Sequence, residues 1–166
     1  FYIFSIDRFS KINYEKRIEI DLKEGYSNHL LFPFQNGEVL LYSKKNTSLS
    51  KIEKLNSELE VIDSKEIETV GNQRISLNNY AQTDNSVFIL FKSIKGKYTL
   101  IQIELEDLKI SKYEGQFPKK THVNGIKIIN DLLFIDILMK FTPAITTYDL
   151  KEKRHSILPV YIEGYK

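Results

Sequence analysis

With 166 residues, 42% hydrophobic, 28% charged and a net charge of +2 at pH 7, the chain has the size and balance of one globular domain, able to bury roughly 70% of its unfolded surface. Lysine and arginine are spread along the sequence rather than gathered, which leaves no basic footprint for a phosphate backbone and excludes nucleic acid as the expected partner. With no cysteine, disulfides, thiolate metal sites and a thiol nucleophile are excluded as well.

Ten tyrosines and ten phenylalanines favour strands, and the chain reads as strands from its first residues. Phe1 to Ile6 and Ile12 to about Leu22 form a hairpin across Asp7 to Lys11. Asn28 to Phe34 follows, closed by Gln35-Asn36-Gly37, a hairpin turn because Asn-Gly accepts positive φ at little cost. Glu38 to Ser43 is the next strand. After Lys44 to Thr47 comes Ser48 to Leu55, where the spacing of Leu49, Ile52 and Leu55 also suits a helix. Asn56-Ser57 then turns the chain into Leu59 to Ile67.

A third group starts near Gln73 to Leu77 and continues into Val87 to Phe91, five apolar residues suited to a strand buried on both faces. Ile94 to Lys97 turns it into Tyr98 to Leu105, and Glu106-Asp107 leads to Leu108 to Tyr113. The last group runs from His122 to Ile129, through Asn130-Asp131, into Leu132 to Met139. That run is broken by Asp136 and falls far short of the roughly 20 residues a membrane-spanning helix needs. Ala144 to Leu150 and an apolar run from Ile157 complete the group, and Pro118 and Pro159 fall at group ends, where a missing donor costs least. Asn46-Thr47-Ser48 matches a glycosylation pattern but reads as a turn. The sequence opens at Phe1, which leaves room for a start and a signal peptide outside it. The compartment stays open, with periplasmic or extracellular favoured over cytoplasmic.

Offsets test the repetition. The alternating strands end at Ile6, Leu55, Leu105 and Leu150, separated by 49, 50 and 45 residues, and the apolar runs starting at Val39, Val87 and Leu132 are separated by 48 and 45. A period near 48 is the range of propellers and other repeat arrays. The expected fold is all-β: a β-propeller fragment of about three and a half four-stranded blades, with a half blade over 1–25 and blades over 26–70, 71–117 and 118–166, in a single repeat domain that forms part of a larger propeller. A β-trefoil is the alternative, since three repeats of about 50 residues also fit this length.

The segment Ile145-Thr-Thr-Tyr-Asp-Leu150 with its turn Lys151-Glu152-Lys153 resembles the outer half of blades in WD40-like and TolB-like propellers. No WD dipeptide, Kelch double glycine or Asp-box accompanies it. A propeller of three and a half blades would expose sheet faces, so either the rest of the ring lies outside this sequence or a protein partner or a second copy completes it.

His29 and His122 each lie ten residues before an apolar run, at Val39 and Leu132, so they hold equivalent positions on innermost strands. Arg74 is roughly equivalent in the third group. Together these three would form a polar channel mouth able to bind a small ligand such as an anion, with a metal as the alternative. The simpler reading makes each imidazole a hydrogen-bonded tie between strands. Asp136 would lie at a strand's exposed end or cap a turn, because a buried lone carboxylate costs several kcal/mol. No pair of carboxylates is made to converge, and no G-x-S-x-G or phosphate-loop glycine pattern occurs. Catalytic residues, metal ligands and cofactors are therefore not assigned. The expected function is a non-catalytic binding or scaffold module, with a propeller hydrolase acting on carbohydrate or lactone as the first alternative and a lectin-like trefoil as the second.

Overall fold

The computed structural model describes residues 2–6, 12–17, 27–45, 49–68, 79–92, 96–130, 132–140, 142–152 and 154–159. Every regular element among them is a strand. A two-stranded sheet, β1 (Tyr2–Ile6) and β2 (Ile12–Arg17), is followed by three four-stranded antiparallel meanders. These are β3 (Ser27–Pro33), β4 (Val39–Lys44), β5 (Leu49–Leu55) and β6 (Val61–Glu68); then β7 (Tyr80–Gln82), β8 (Ser86–Lys92), β9 (Lys97–Glu104) and β10 (Ile110–Gln116); then β11 (Thr121–Ile129), β12 (Leu132–Met139), β13 (Thr142–Asp149) and β14 (Arg154–Pro159). In each meander strands neighbour one another in sequence order, the arrangement of propeller blades. The chain is an all-β propeller fragment of three and a half blades. The trefoil alternative fails because each repeat closes its own four-stranded sheet. Asn46-Thr47-Ser48 and the Gln73 to Leu77 segment lie outside the described residues.

The chain divides into two compact units, Phe1–Thr69 and Val70–Lys166. In the first, β4 is buried along nearly its whole length: Val39 and Leu41 join Leu55 and Leu59 in one apolar cluster, while Leu40 and Tyr42 alternate to the opposite face. Tyr42 is fully buried, and its hydroxyl shares a 2.6 Å hydrogen bond with that of Ser50. Burial pushes the Tyr42 phenol up to about 12. The unfolded chain gives up this proton near pH 10 and the folded chain only near 12, so stability is full below pH 10 and is lost as pH rises through that window. The expected loss is about 2–3 kcal/mol, read from urea unfolding at stepped pH, and Tyr42→Phe should flatten it.

β6 is exposed on both sides for most of its length, and presents Asp63, Lys65 and Glu66 after the apolar pair Val61-Ile62.

In the second unit, the sheet β7–β10 lies face to face on β11–β14. Phe88, Leu90, Tyr98, Leu100 and Phe117 meet Leu133, Ile135, Ile137, Ala144 and Tyr148 in one buried cluster. The opposite face of β8, with Val87, Ile89 and Phe91, is buried too. Lys92 reaches from the end of β8 to donate to the carbonyl of Thr121, tying the start of β11 to the preceding blade. Thr146 sits fully buried between Ala144 and Tyr148, and its hydroxyl finds no hydrogen-bond partner among the described residues. A buried unmet hydroxyl costs about 1–3 kcal/mol, so Thr146→Val, which keeps the shape, should raise stability by about 1 kcal/mol in thermal melts.

The hairpins joining the third and fourth strands use one device three times. Asn56 Oδ1 accepts from the Glu58 and Glu60 amides, Asp107 Oδ1 from Lys109, and Asp149 Oδ1 from Lys151 and Glu152. The amides of Glu152 and Lys151 hold the Asp149 carboxyl below its ordinary pKa. Gly37 takes φ +84° beside Asn36, as the Asn-Gly pair predicts for this turn, and Gly96 takes φ +85° in the β8–β9 turn.

Candidate functional site

The sheet β11–β14 has two unlike faces. Its inner face is the packed one just described. On its outer face, register places Gly125 beside Asp136 and Ile145, Lys127 beside Phe134 and Thr147, and His122 beside Leu138 and Pro143. The register shifts between Val123 and Gly125, a bulge that leaves the hydrogen-only Gly125 next to Asp136. Missing bulk there opens a shallow cleft of about 260 Å³ lined by Gly125, Ile126, Lys127, Phe134, Asp136 and Ile145. Its floor is hydrocarbon, with one carboxylate and one ammonium at the edges, so it suits an apolar body.

Sequence reasoning missed this cleft. Asp136 was the available signal, but it lies exposed in the middle of β12, at neither a strand end nor a turn. The interrupted run showed that one residue of the strand was unlike the rest, but not that the face around it is only half-buried among the described residues.

The three predicted channel residues fall differently. Arg74 lies outside the described residues. His29 lies in β3 opposite Ser43, and its Nδ1 is 2.8 Å from Ser43 Oγ. Burial holds this imidazole below its ordinary pKa, with Glu53 pulling the other way. His122 lies exposed in β11 opposite Leu138. The two histidines belong to separate compact units. Each lies close to a bulge in the first strand of its sheet, between Ser27 and His29 in one and between Val123 and Gly125 in the other.

No protein-family model matches the sequence, and no curated relative does. Solved structures do match. A Synechocystis apocarotenoid oxygenase mutant aligns at TM-score 0.54 and 11% identity over 81% of this chain. A cobalt-substituted form of the Synechocystis enzyme aligns at 0.53 and 11% over 81%, and an ACO/RPE65 chimera at 0.53 and 10% over 80%. The described sheets share their fold with part of those propellers. This chain spans 38%, 38% and 39% of those three chains, well under half of each.

Two expectations are corrected by these matches. The blades are similar to those of the carotenoid oxygenases, a seven-bladed propeller family, rather than to WD40-like or TolB-like blades. The outer-strand pattern at 145–150 could not separate these families, because alternation and a charged turn are demanded by any blade edge. The non-catalytic binding or scaffold module is overturned by the same finding, as are its hydrolase and lectin alternatives, because the matched folds are those of oxygenases. Residues that converge in a propeller come from different blades, far apart in sequence, and leave no short signature.

Cobalt in one matched structure raises the question of a metal here. Among the described residues no three His, Asp or Glu side chains gather closely enough to hold an ion. His29 Nδ1 is engaged with Ser43, and His122 stands on an open sheet face. The described residues do not fit a metal centre.

Proposed function

We propose that this stretch is part of the blade wall of a propeller oxygenase acting on apocarotenoid-type polyenes, and that its described residues contribute apolar surface rather than the reacting centre. The reading is carried by one observation: the matched solved structures are apocarotenoid oxygenases or their RPE65 chimeras. The apolar floor supplied by Phe134 and Ile145 is compatible with a polyene, whose recognition depends on hydrocarbon contact more than on hydrogen bonds.

Polyene binding tests this without requiring metal. Titrating the purified chain with an apocarotenoid should give a saturable induced circular dichroism in the polyene absorption band, unchanged by a chelator. Absence of a saturable signal would remove the reading.

A further inference from the structure

Tyr113 and Tyr148 meet across the seam between β7–β10 and β11–β14. Tyr113 stands half-buried on β10, and Tyr148, 6% exposed, stands on β13 of the neighbouring sheet. Both belong to the packing that holds the two sheets together. Their ring centroids lie 5.3 Å apart with the planes inclined by 49°, a separation at which ring carbons touch.

We propose that this pair is an oxidation site: a one-electron oxidant drawing on peroxide joins the two rings into a dityrosine, a covalent staple between neighbouring sheets. The inference stands on the seam alone and needs nothing from the oxygenase-like reading.

Composition directs the oxidation to tyrosine. The chain has neither cysteine nor tryptophan, so its ten tyrosines are the side chains that most readily give up a single electron. Without cysteine it also has no disulfide with which to tie one sheet to the next. Geometry then selects the pair. Tyr42 is sealed in the other compact unit, and Tyr98 is stacked on Phe117 over Gly115. Tyr113 is the more open of the two partners and gives the oxidant its entry, while its hydroxyl donates to Gln102 Oε1 at 3.1 Å and fixes the ring. Burial, then Tyr113 and Tyr98, pushes the Tyr148 phenol up to about 12, so at pH 7 Tyr148 is neutral and no charge on it holds the rings apart.

The step balances. Each phenol loses one electron and its hydroxyl proton, and the two phenoxyl radicals form one bond between carbons that flank the hydroxyls. A χ2 flip exchanges the two such carbons of a ring, so either can be presented. The hydrogens on the newly bonded carbons then move to the oxygens and restore both phenols. The two electrons and two protons released reduce one peroxide to two waters, and the chain becomes lighter by two hydrogen atoms.

Treating the purified chain in dilute solution with hydrogen peroxide and a haem peroxidase should give a monomer lighter by two hydrogens, with dityrosine fluorescence and with Tyr113 and Tyr148 recovered in one cross-linked pair of proteolytic peptides. Because the link closes a loop in the unfolded chain, the oxidised monomer should also unfold at higher urea. Tyr113→Phe and Tyr148→Phe keep the rings and should each abolish this product, whereas Tyr80→Phe, at a 39% exposed tyrosine, should leave its yield unchanged. A chain that gives no lighter monomer overturns the proposal. So does a link that maps to other tyrosines, or one that survives either of the first two substitutions. If Tyr148→Phe does not give the wild-type far-ultraviolet dichroism, Tyr113→Phe decides alone.

Discussion

Truncating Phe88 to alanine should cost about 3–5 kcal/mol, while the same truncation at Phe134 should cost about 1 kcal/mol or less. Both are phenylalanines on the second strand of a blade, so composition does not distinguish them. Phe88 is 1% exposed and belongs to the cluster that joins β7–β10 to β11–β14; Phe134 is only half-buried, on the outer face. Removing Phe88 leaves a cavity walled by two sheets whose backbones are fixed by their own hydrogen bonds, so collapse can fill little of it. Urea midpoints for the two variants measure the difference. Equal losses would mean that the outer face of β12 is as well covered as the inner one.

A side chain at Gly115 should be the second large effect. Gly115 pairs with Tyr98 across β10 and β9, and a Cβ built there would overlap both Cζ and the hydroxyl oxygen of Tyr98. The Tyr98 ring lies over the glycine and stacks on Phe117 with centroids 4.4 Å apart. Tyr98 is 4% exposed, so its ring can yield only by disturbing the same sheet-to-sheet cluster. Gly115→Ala is expected to destabilise by about 1–3 kcal/mol, the range for overpacking. Tyr98→Leu shortens the side chain, so Gly115→Ala made in that background should cost under about 0.5 kcal/mol. A double-mutant cycle in urea gives the coupling; additive losses would show that the glycine is needed for some other reason.

The blades were legible in the sequence because each repeats the same burial demand. Val87 to Phe91 reads as a strand covered on both sides and is one, within β8. The segment Leu49 to Leu55 was ambiguous for a physical reason: β5 is buried on alternate faces by Ile52 and Leu55, and one inward position is filled by Ser50, whose hydroxyl is matched to Tyr42. A buried polar pair breaks the alternation that identifies a strand, and a helix-like spacing is what remains. Gly115 carries no sequence signal of its own, because its role lies in the ring of a residue on the neighbouring strand.

Equal offsets drew attention to His29 and His122, and both do stand near the start of the first strand of a sheet. What the offsets could not supply was the local chemistry, a serine hydroxyl at one histidine and an open sheet face at the other. Asp136 was noticed for the opposite reason, as a residue that did not belong in its run. Its surroundings depend on which face of β12 is covered, and no one-dimensional pattern carries that information.

Strand β6 bears on how the protein behaves when crowded. The outermost strand of a sheet is a template onto which other chains can add, and the exposed Val61-Ile62 would be a favourable point of addition. Asp63, Lys65 and Glu66 follow immediately, so an incoming strand in register would set like charges against each other. That guard is electrostatic, and at 1 M salt the screening length falls to about 3 Å. Concentrated, salty solutions should therefore be where fibrillar growth begins, and it should begin at this edge.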